Sequence, residues 1–314
     1  MRRPILQSNL VCVLACVLAG ALVAAVAAGG QKPGTAVAEP ANSADGGGAS
    51  FGASCDWSHQ ASKDPITNPD GTSEGTHLHE FYGNTSTDNF TYAAMVDAPS
   101  TCNRGNVQGS AYWFPTVRWN GVQLQPKDAI IYYKHNNKRN ESIRPFPRDL
   151  KVIVDQGGGA IRWSCGNNEK AARAVPPERC LNTKEPLTVK IRFPDCWDTK
   201  SLGTAANNWR GHMKFSRTGR DGRNHCSDGW RPMAQIQMRT SFRAPNDEGT
   251  FPAGPAGGAV TVSHGPDMWA GHDHMHADFW NTWDQGELEF LTRRCINQVD
   301  PDADRPERCQ SSLR

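Results

Sequence analysis

The sequence predicts a mainly β fold: a single, antiparallel β-sandwich-like domain with long disulfide-pinned loops and a short C-terminal helix. Three observations predict it. Short runs rich in β-branched and aromatic residues recur between Gly, Pro, Asn and Asp turn formers. The composition, with 30 Gly, 21 Pro, 37% hydrophobic and 21% charged residues, is loop-rich and argues against a helical bundle. Eight cysteines follow an apolar leader, an even number that suits up to four bridges.

Taken in order, the chain opens with Arg2 and Arg3, then an apolar run from Leu10 to Ala28, with a small-x-small cleavage pattern at Ala25-Val26-Ala27. This reads as a secretory signal peptide over residues 1–28. An uncleaved anchor is the alternative, since 19 apolar residues just reach across a bilayer core of roughly 30 Å. Residues 29–54 are chiefly Gly, Ala, Ser and Pro, which bury too little apolar surface to offset ordering entropy, so they read as a disordered tether. The folded part is expected to begin near Phe51 or Cys55 and to form one secreted domain over 55–314. Strand-like runs follow at Ser110–Trp119, Ala129–Lys134, Leu150–Val154, Leu187–Phe193, Met233–Phe242 and Ala259–Ser263. Between Asp155 and Pro186 turn formers dominate. Gln285–Ile296, with Leu288, Leu291 and Cys295 three and four apart, is the best helix.

The cysteines after the leader are Cys55, Cys102, Cys165, Cys180, Cys196, Cys226, Cys295 and Cys309. No Cys-x-x-Cys occurs, so disulfides are preferred over a zinc–thiolate site, and 105 connectivities are open. Asn84, Asn89 and Asn140 head glycosylation sequons. The formal charge of +2 equals the contribution of Arg2 and Arg3, so the mature chain is balanced. It therefore has no basic surplus to drive non-specific nucleic-acid binding, although a local basic patch stays open. The expected species is a monomer with no nucleic-acid partner and no membrane contact after leader cleavage.

Two stretches concentrate chemistry. In Gly271-His272-Asp273-His274-Met275-His276-Ala277-Asp278-Phe279-Trp280, strand alternation puts His272, His274, His276, Asp278 and Trp280 on one face. In Thr76-His77-Leu78-His79-Glu80-Phe81, it puts His77, His79 and Phe81 together. The expectation is that these strands meet and that His77, His79, His276 and Asp278 form one cluster, with His212 joining and His272 and His274 at the rim.

The order of motifs is that of a known family. Asp64-Pro65-Ile66, His77-Leu78-His79, Ser110-Ala111-Tyr112-Trp113-Phe114-Pro115, Phe193-Pro194-Asp195-Cys196-Trp197-Asp198, Gly211-His212-Met213 and His276-Ala277-Asp278-Phe279 with Trp283-Asp284 occur in series. The chain resembles the secreted bacterial and fungal family called domain of unknown function nineteen-ninety-six, from about Asp64 to Cys295. The resemblance implies secretion and a shared site on His77, His79, Tyr112, Trp113, Cys196, Trp197, Asp198, His212, His276, Asp278 and Trp283; it implies no reaction. Gln108-Gly109 stands where an acidic–basic pair is usual, and Arg148-Asp149 stands where Gly is usual after Pro147.

Several chemistries compete for the cluster. Histidines at i and i+2 on a strand can chelate one ion, so His77, His79 and His276 are candidate ligands for a divalent metal such as zinc, with Asp278 as ligand or orienter. A metal-free hydrogen-bond network is the alternative. Ten tryptophans suggest glycan stacking, with Tyr112, Trp113, Asp198 and Trp280 as ligand-binding candidates, although core packing explains any single Trp as well. Acid–base glycoside hydrolysis would pair Asp278 with Asp198, Asp284 or Glu80. No Gly-x-Ser-x-Gly and no phosphate-binding glycine loop occurs, which sets serine hydrolases and nucleotide binding aside. Two readings remain. One is a secreted protein that acts on or binds cell-wall or other polysaccharide through catalytic His77, His79, His212, His276 and Asp278, hydrolase-like if an enzyme. The other is a non-catalytic extracellular binding module whose histidine network is structural.

Overall fold

The computed structural model describes residues 49–71, 76–136, 142–254, 259–298 and 309. The leader at 1–28, the tether up to residue 48 and the sequon at Asn140 lie outside the described residues.

Two five-stranded antiparallel sheets pack face to face. The first runs Ser50–Cys55, Pro126–Lys134, Gln235–Phe242, Leu187–Arg192, Ile161–Cys165. The second runs Trp57–Ala61, His79–Gly83, Ala111–Pro115, His276–Trp280, Lys151–Asp155. Alternation explains the packing: Phe51, Ile131, Tyr133, Met238 and Val189 face Tyr82, Tyr112, Phe114, Ala277 and Phe279 in one buried cluster. Polar atoms caught between the sheets are paired across them. Tyr112 shares a short hydroxyl–hydroxyl bond with Tyr133, which also accepts from Trp283 Nε1 at 2.9 Å, and Gln108 Nε2 donates to Tyr112 at 2.8 Å. Burial pushes the Tyr133 phenol up to about 12.

The predicted strands appear with shifted ends. The run 110–119 is two strands: the chain leaves the second sheet at Pro115 and re-enters a separate four-stranded sheet as Val117–Trp119. Thr116 is the corner, donating its hydroxyl to Glu80 Oε1 at 2.7 Å and its N–H to Leu78 O at 2.8 Å. Strand pairing starts at Ser50 rather than after Ser54, so the last residues read as tether are strand, because Phe51 and Ala53 alternate into the core. Ile161–Cys165, inside a stretch read as loop, is an edge strand pinned by Cys165–Cys180. The C-terminal helix is α over Gln285–Leu291, capped by Asp284 accepting from Glu287 N at 2.8 Å, and continues as a π turn over Thr292–Ile296. Leu288, Leu291 and Cys295 are buried, as their spacing predicts.

All eight cysteines from Cys55 onward are paired: Cys55–Cys102, Cys165–Cys180, Cys196–Cys226 and Cys295–Cys309. Asn84 is buried and donates to Met95 O and Gly109 O, whereas Asn89 is exposed, so only the latter sequon is presented by the fold. No described helix is long and apolar enough to cross a membrane.

Candidate functional site

The second sheet has two covered faces. Its inner face joins the main core; its outer face carries rows of directly opposed residues, which share a side in an antiparallel pair. One row holds Ala61, His79 and Pro115, and, continuing the register, His276 with Asp155 beyond it. The next row holds His59, Phe81, Trp113, Asp278 and Ile153. The two histidine strands therefore do not pair; Ala111–Pro115 lies between them, and the rings close over Pro115. His77 precedes its strand, held there because Leu78 N donates to Ser263 Oγ at 2.9 Å.

The three rings pack together. Centroids lie 4.2 Å apart for His77–His79, 5.2 Å for His77–His276 and 5.5 Å for His79–His276. His79 Nε2 and His276 Nε2 are 3.3 Å apart. Asp278 Oδ2 lies 3.7 Å from His276 Nε2, and Asp64 Oδ2 lies 3.8 Å from His79 Nε2. Two overlapping sets, His77 with His79 and His276, and Asp64 with His79, His276 and Asp278, keep all ligand atoms within 4.8 Å of one another. Asp64 is held by its own turn: Oδ1 accepts from Ile66 N and Thr67 N, leaving Oδ2 toward the rings and Trp113 Nε1 at 3.5 Å.

Electrostatics push His79, His276 and Asp278 toward neutrality. His79 is held well below the usual imidazole range, by burial first and then by the neighbouring charges of His77 and His276. His276 is lowered to about 4, by burial and then by His77. Burial, then Asp64, raises Asp278 well above the carboxylate range. Both carboxylate oxygens of Asp278 are buried, and neither has a hydrogen-bond partner among the described residues. Such a group costs ~1–3 kcal/mol or more when left unpaired. Imidazolium suits this cluster badly, but a divalent cation suits it well: it takes imidazoles in their neutral form and displaces the proton of Asp278 to restore a carboxylate. The 3.3 Å between the two Nε2 atoms matches the edge of a tetrahedron whose metal–nitrogen bonds are ~2.0–2.1 Å.

Arg210 stands at the edge of the site. Its Nε and Nη2 bind Asp155 at 2.8 and 3.0 Å, and Asp155 is opposite His276. Asp64, Asp155 and Arg210 were not among the site residues expected from sequence; the Asp64-Pro65-Ile66 motif carried a signal for the first, and nothing local marked the other two.

Other expectations are corrected. His272–His274 is a 3₁₀ turn closed by Met275 N to His272 O at 3.1 Å, so the strand begins only at His276. The exposed His274 instead packs on His264, with centroids 4.3 Å apart. His212 is buried outside the cluster, bonded through Nε2 to Lys151 O at 2.6 Å. Asp198 closes its own turn, accepting from Lys200 N and Ser201 N. Tyr112 lies in the main core. Trp113 and Trp280 lie in a smaller cluster with Phe81, Ile66, Met95, Ala111 and Ile153 that covers the outer face, so neither offers a ring for stacking. Trp113 nevertheless touches the site from beneath, through Asp64.

The candidate acid–base partners of Asp278 are also elsewhere. Glu80 points to the opposite face, where Trp57, Gln60 and Thr116 satisfy it, and Asp284 caps the C-terminal helix. The near carboxylate is Asp64, but Asp64 is 6% and Asp278 0% exposed, so neither is presented to a glycosidic oxygen.

A family model described as domain of unknown function (DUF1996) matches residues 64–283, a span that begins at Asp64 and contains the whole cluster. No curated protein and no solved structure matches the chain.

Proposed function

We propose, for a chain that belongs to the DUF1996 family, that it is exported and acts on or binds cell-wall or other polysaccharide through a divalent-cation site. His79 and His276, common to both donor sets, hold the ion together with Asp64 and Asp278, and His77 stands at its flank. The observation that carries this reading is Asp278, a fully buried carboxyl group without a hydrogen-bond partner, aimed at two imidazoles that burial keeps neutral. Zinc fits the donor set of nitrogen and carboxylate oxygen, and would supply a bound water acidified to pKa ~7. His79 and Asp278 anchor from the interior, while His77 and His276 are the more exposed members and mark the open side. Arg210 and the half-buried Trp209 and Tyr92 flank the cluster and its apolar cover, a polar and aromatic rim of the kind that sugar rings use. Four disulfides support export, since such bridges persist in oxidising compartments.

The test is metal content of protein purified without a histidine tag, with product release from cellulose, chitin and peptidoglycan measured with and without chelator. Stoichiometric zinc lost in His79→Ala and His276→Ala, with chelator-sensitive product release, is the expected result. Polysaccharide binding without metal or turnover would favour a non-catalytic module with a structural histidine network. Absence of both metal and polysaccharide binding would overturn the proposal.

A further inference from the structure

We infer that the lobe stapled by Cys196–Cys226 carries a second site, a cleft that takes an acidic saccharide unit. The cleft measures about 410 Å³ and is lined by Ser142, Arg144, Ser227, Asp228, Trp230 and Arg231, together with Cys226. It shares no residue with the histidine cluster, so it stands or falls independently of the cation site.

Its walls are set by backbone. Arg231 pairs with Trp197 in a small sheet, and Arg144 N donates to Pro232 O at 3.0 Å. The turn between Ser227 and Trp230 closes by Trp230 N to Ser227 O at 2.9 Å, with Gly229 at φ +80°. Arg144 and Arg231 are exposed, and neither guanidinium makes an ion pair or hydrogen bond among the described residues. Two exposed guanidinium forks in one concavity are a recognition device for a planar or tetrahedral anion, which each can grip bidentately. Lys214 Nζ lies 4.2 Å over the Trp230 ring, and Arg217, Arg220 and Arg223 are exposed on the adjoining hairpin. From Lys214 to Arg231 the chain holds five Lys and Arg against Asp221 and Asp228, whereas the chain beyond Arg3 is balanced.

The other lining groups narrow the ligand. A half-buried indole meets the apolar face of a sugar ring, and Ser142, Ser227 and Asp228 suit hydroxyls. The volume lies within the usual range for small-ligand sites, ~300–1,000 Å³. A nucleic acid would need a longer basic track and several stacking rings, and a single Trp in a short cleft favours a sugar.

Binding of the whole secreted chain to polygalacturonate, dextran sulfate, neutral dextran and single-stranded DNA, by calorimetry at about 150 mM salt, tests this. Binding to polygalacturonate, to dextran sulfate or to both is expected, with the stronger of the two naming the anion as carboxylate or sulfate, and no binding to dextran. R144Q/R231Q should weaken it at least tenfold, and W230A likewise. K127Q/R243Q, which removes equal charge elsewhere, should leave it within twofold. Equal thermal unfolding of the variants separates lost binding from lost folding; should W230A unfold early, Trp230→Phe takes its place. Equal affinity for neutral dextran, tighter binding of DNA than of either acidic polymer, or wild-type affinity in R144Q/R231Q would overturn the inference.

Discussion

Replacing His276 by Gln should make the metal-free protein markedly less sensitive to acid. In the fold this imidazole takes a proton only near pH 4, while in the unfolded chain it does so near ~6.5. Above 6.5 both states are neutral and nothing is lost. As pH falls from 6.5 toward 4, the unfolded chain binds a proton that the folded chain refuses, so stability drops through that window. At about 1.4 kcal/mol per pH unit, the loss amounts to roughly 3 kcal/mol, a large share of a typical ~5–15 kcal/mol. Gln cannot titrate and removes this component. The variant should still weaken somewhat in acid, because His79 is lowered for the same reasons, burial and neighbouring imidazoles. Urea unfolding of both proteins at pH 7, 6, 5 and 4, with chelator throughout, gives the comparison. Between pH 7 and 4 the wild type should lose about 3 kcal/mol more than H276Q. Curves that run parallel to within ~0.5 kcal/mol would show that His276 titrates normally in the fold, and the electrostatic account of the cluster would fall.

Asp278→Asn should have opposite effects with and without metal. The raised pKa of Asp278 means its stabilising proton is present below ~3.9 and lost as pH rises, so metal-free D278N should exceed wild type in stability at pH 8, with the difference shrinking by pH 4; added zinc should reverse the order at pH 8. Zinc affinity, measured by competition with a chromophoric chelator, should fall at least tenfold in His79→Ala, while His272→Ala, whose ring lies in the turn before the strand, should retain wild-type affinity. Removing the Cys295–Cys309 bridge should cost about 3 kcal/mol in thermal or urea unfolding, from a loop of 14 residues. Tyr112→Phe should cost ~1–3 kcal/mol, because it strips a partner from the buried Gln108 and Tyr133; a change under ~0.5 kcal/mol would mean water replaces the hydroxyl.

Most of the framework was legible because alternation and turn formers report on local structure. Met233–Phe242 and Leu187–Phe193 were read to within two residues, since β-branched and aromatic residues alternate there without interruption. The pairing of His79 with His276 into one cluster was also legible, from two short stretches that each put imidazoles and a second polar or aromatic group on one side. Alternation says which residues share a face, however, and not whether that face is covered. Trp113 and Trp280 were expected to meet a ligand, but Ile66, Met95 and partly buried Phe90, Tyr92 and Trp209 form a second layer above them. Asp64 and Arg210 arrive from those same covering segments, whose placement depends on long-range packing. The strand reading failed at His272 and His274 because Gly271 and Asp273 are turn formers, a local cue outweighed by the even spacing of the histidines.

The bridges have a kinetic consequence. Every one joins cysteines that are consecutive along the chain from Cys55 onward, closing spans of 47, 15, 30 and 14 residues. Shorter spans meet more often in an unfolded chain, so three of the native pairs are also among the quickest encounters available to an emerging polypeptide. One competitor stands out. Cys180 lies 16 residues before Cys196 and 15 after Cys165, so chance contact scarcely distinguishes the two partners. What separates them is the antiparallel pairing of Ile161–Cys165 with Leu187–Arg192, which carries Cys165 back across the returning chain. Oxidative folding should therefore have a single decision point, at that edge strand, and a mispaired Cys180–Cys196 species is the expected misfolded form.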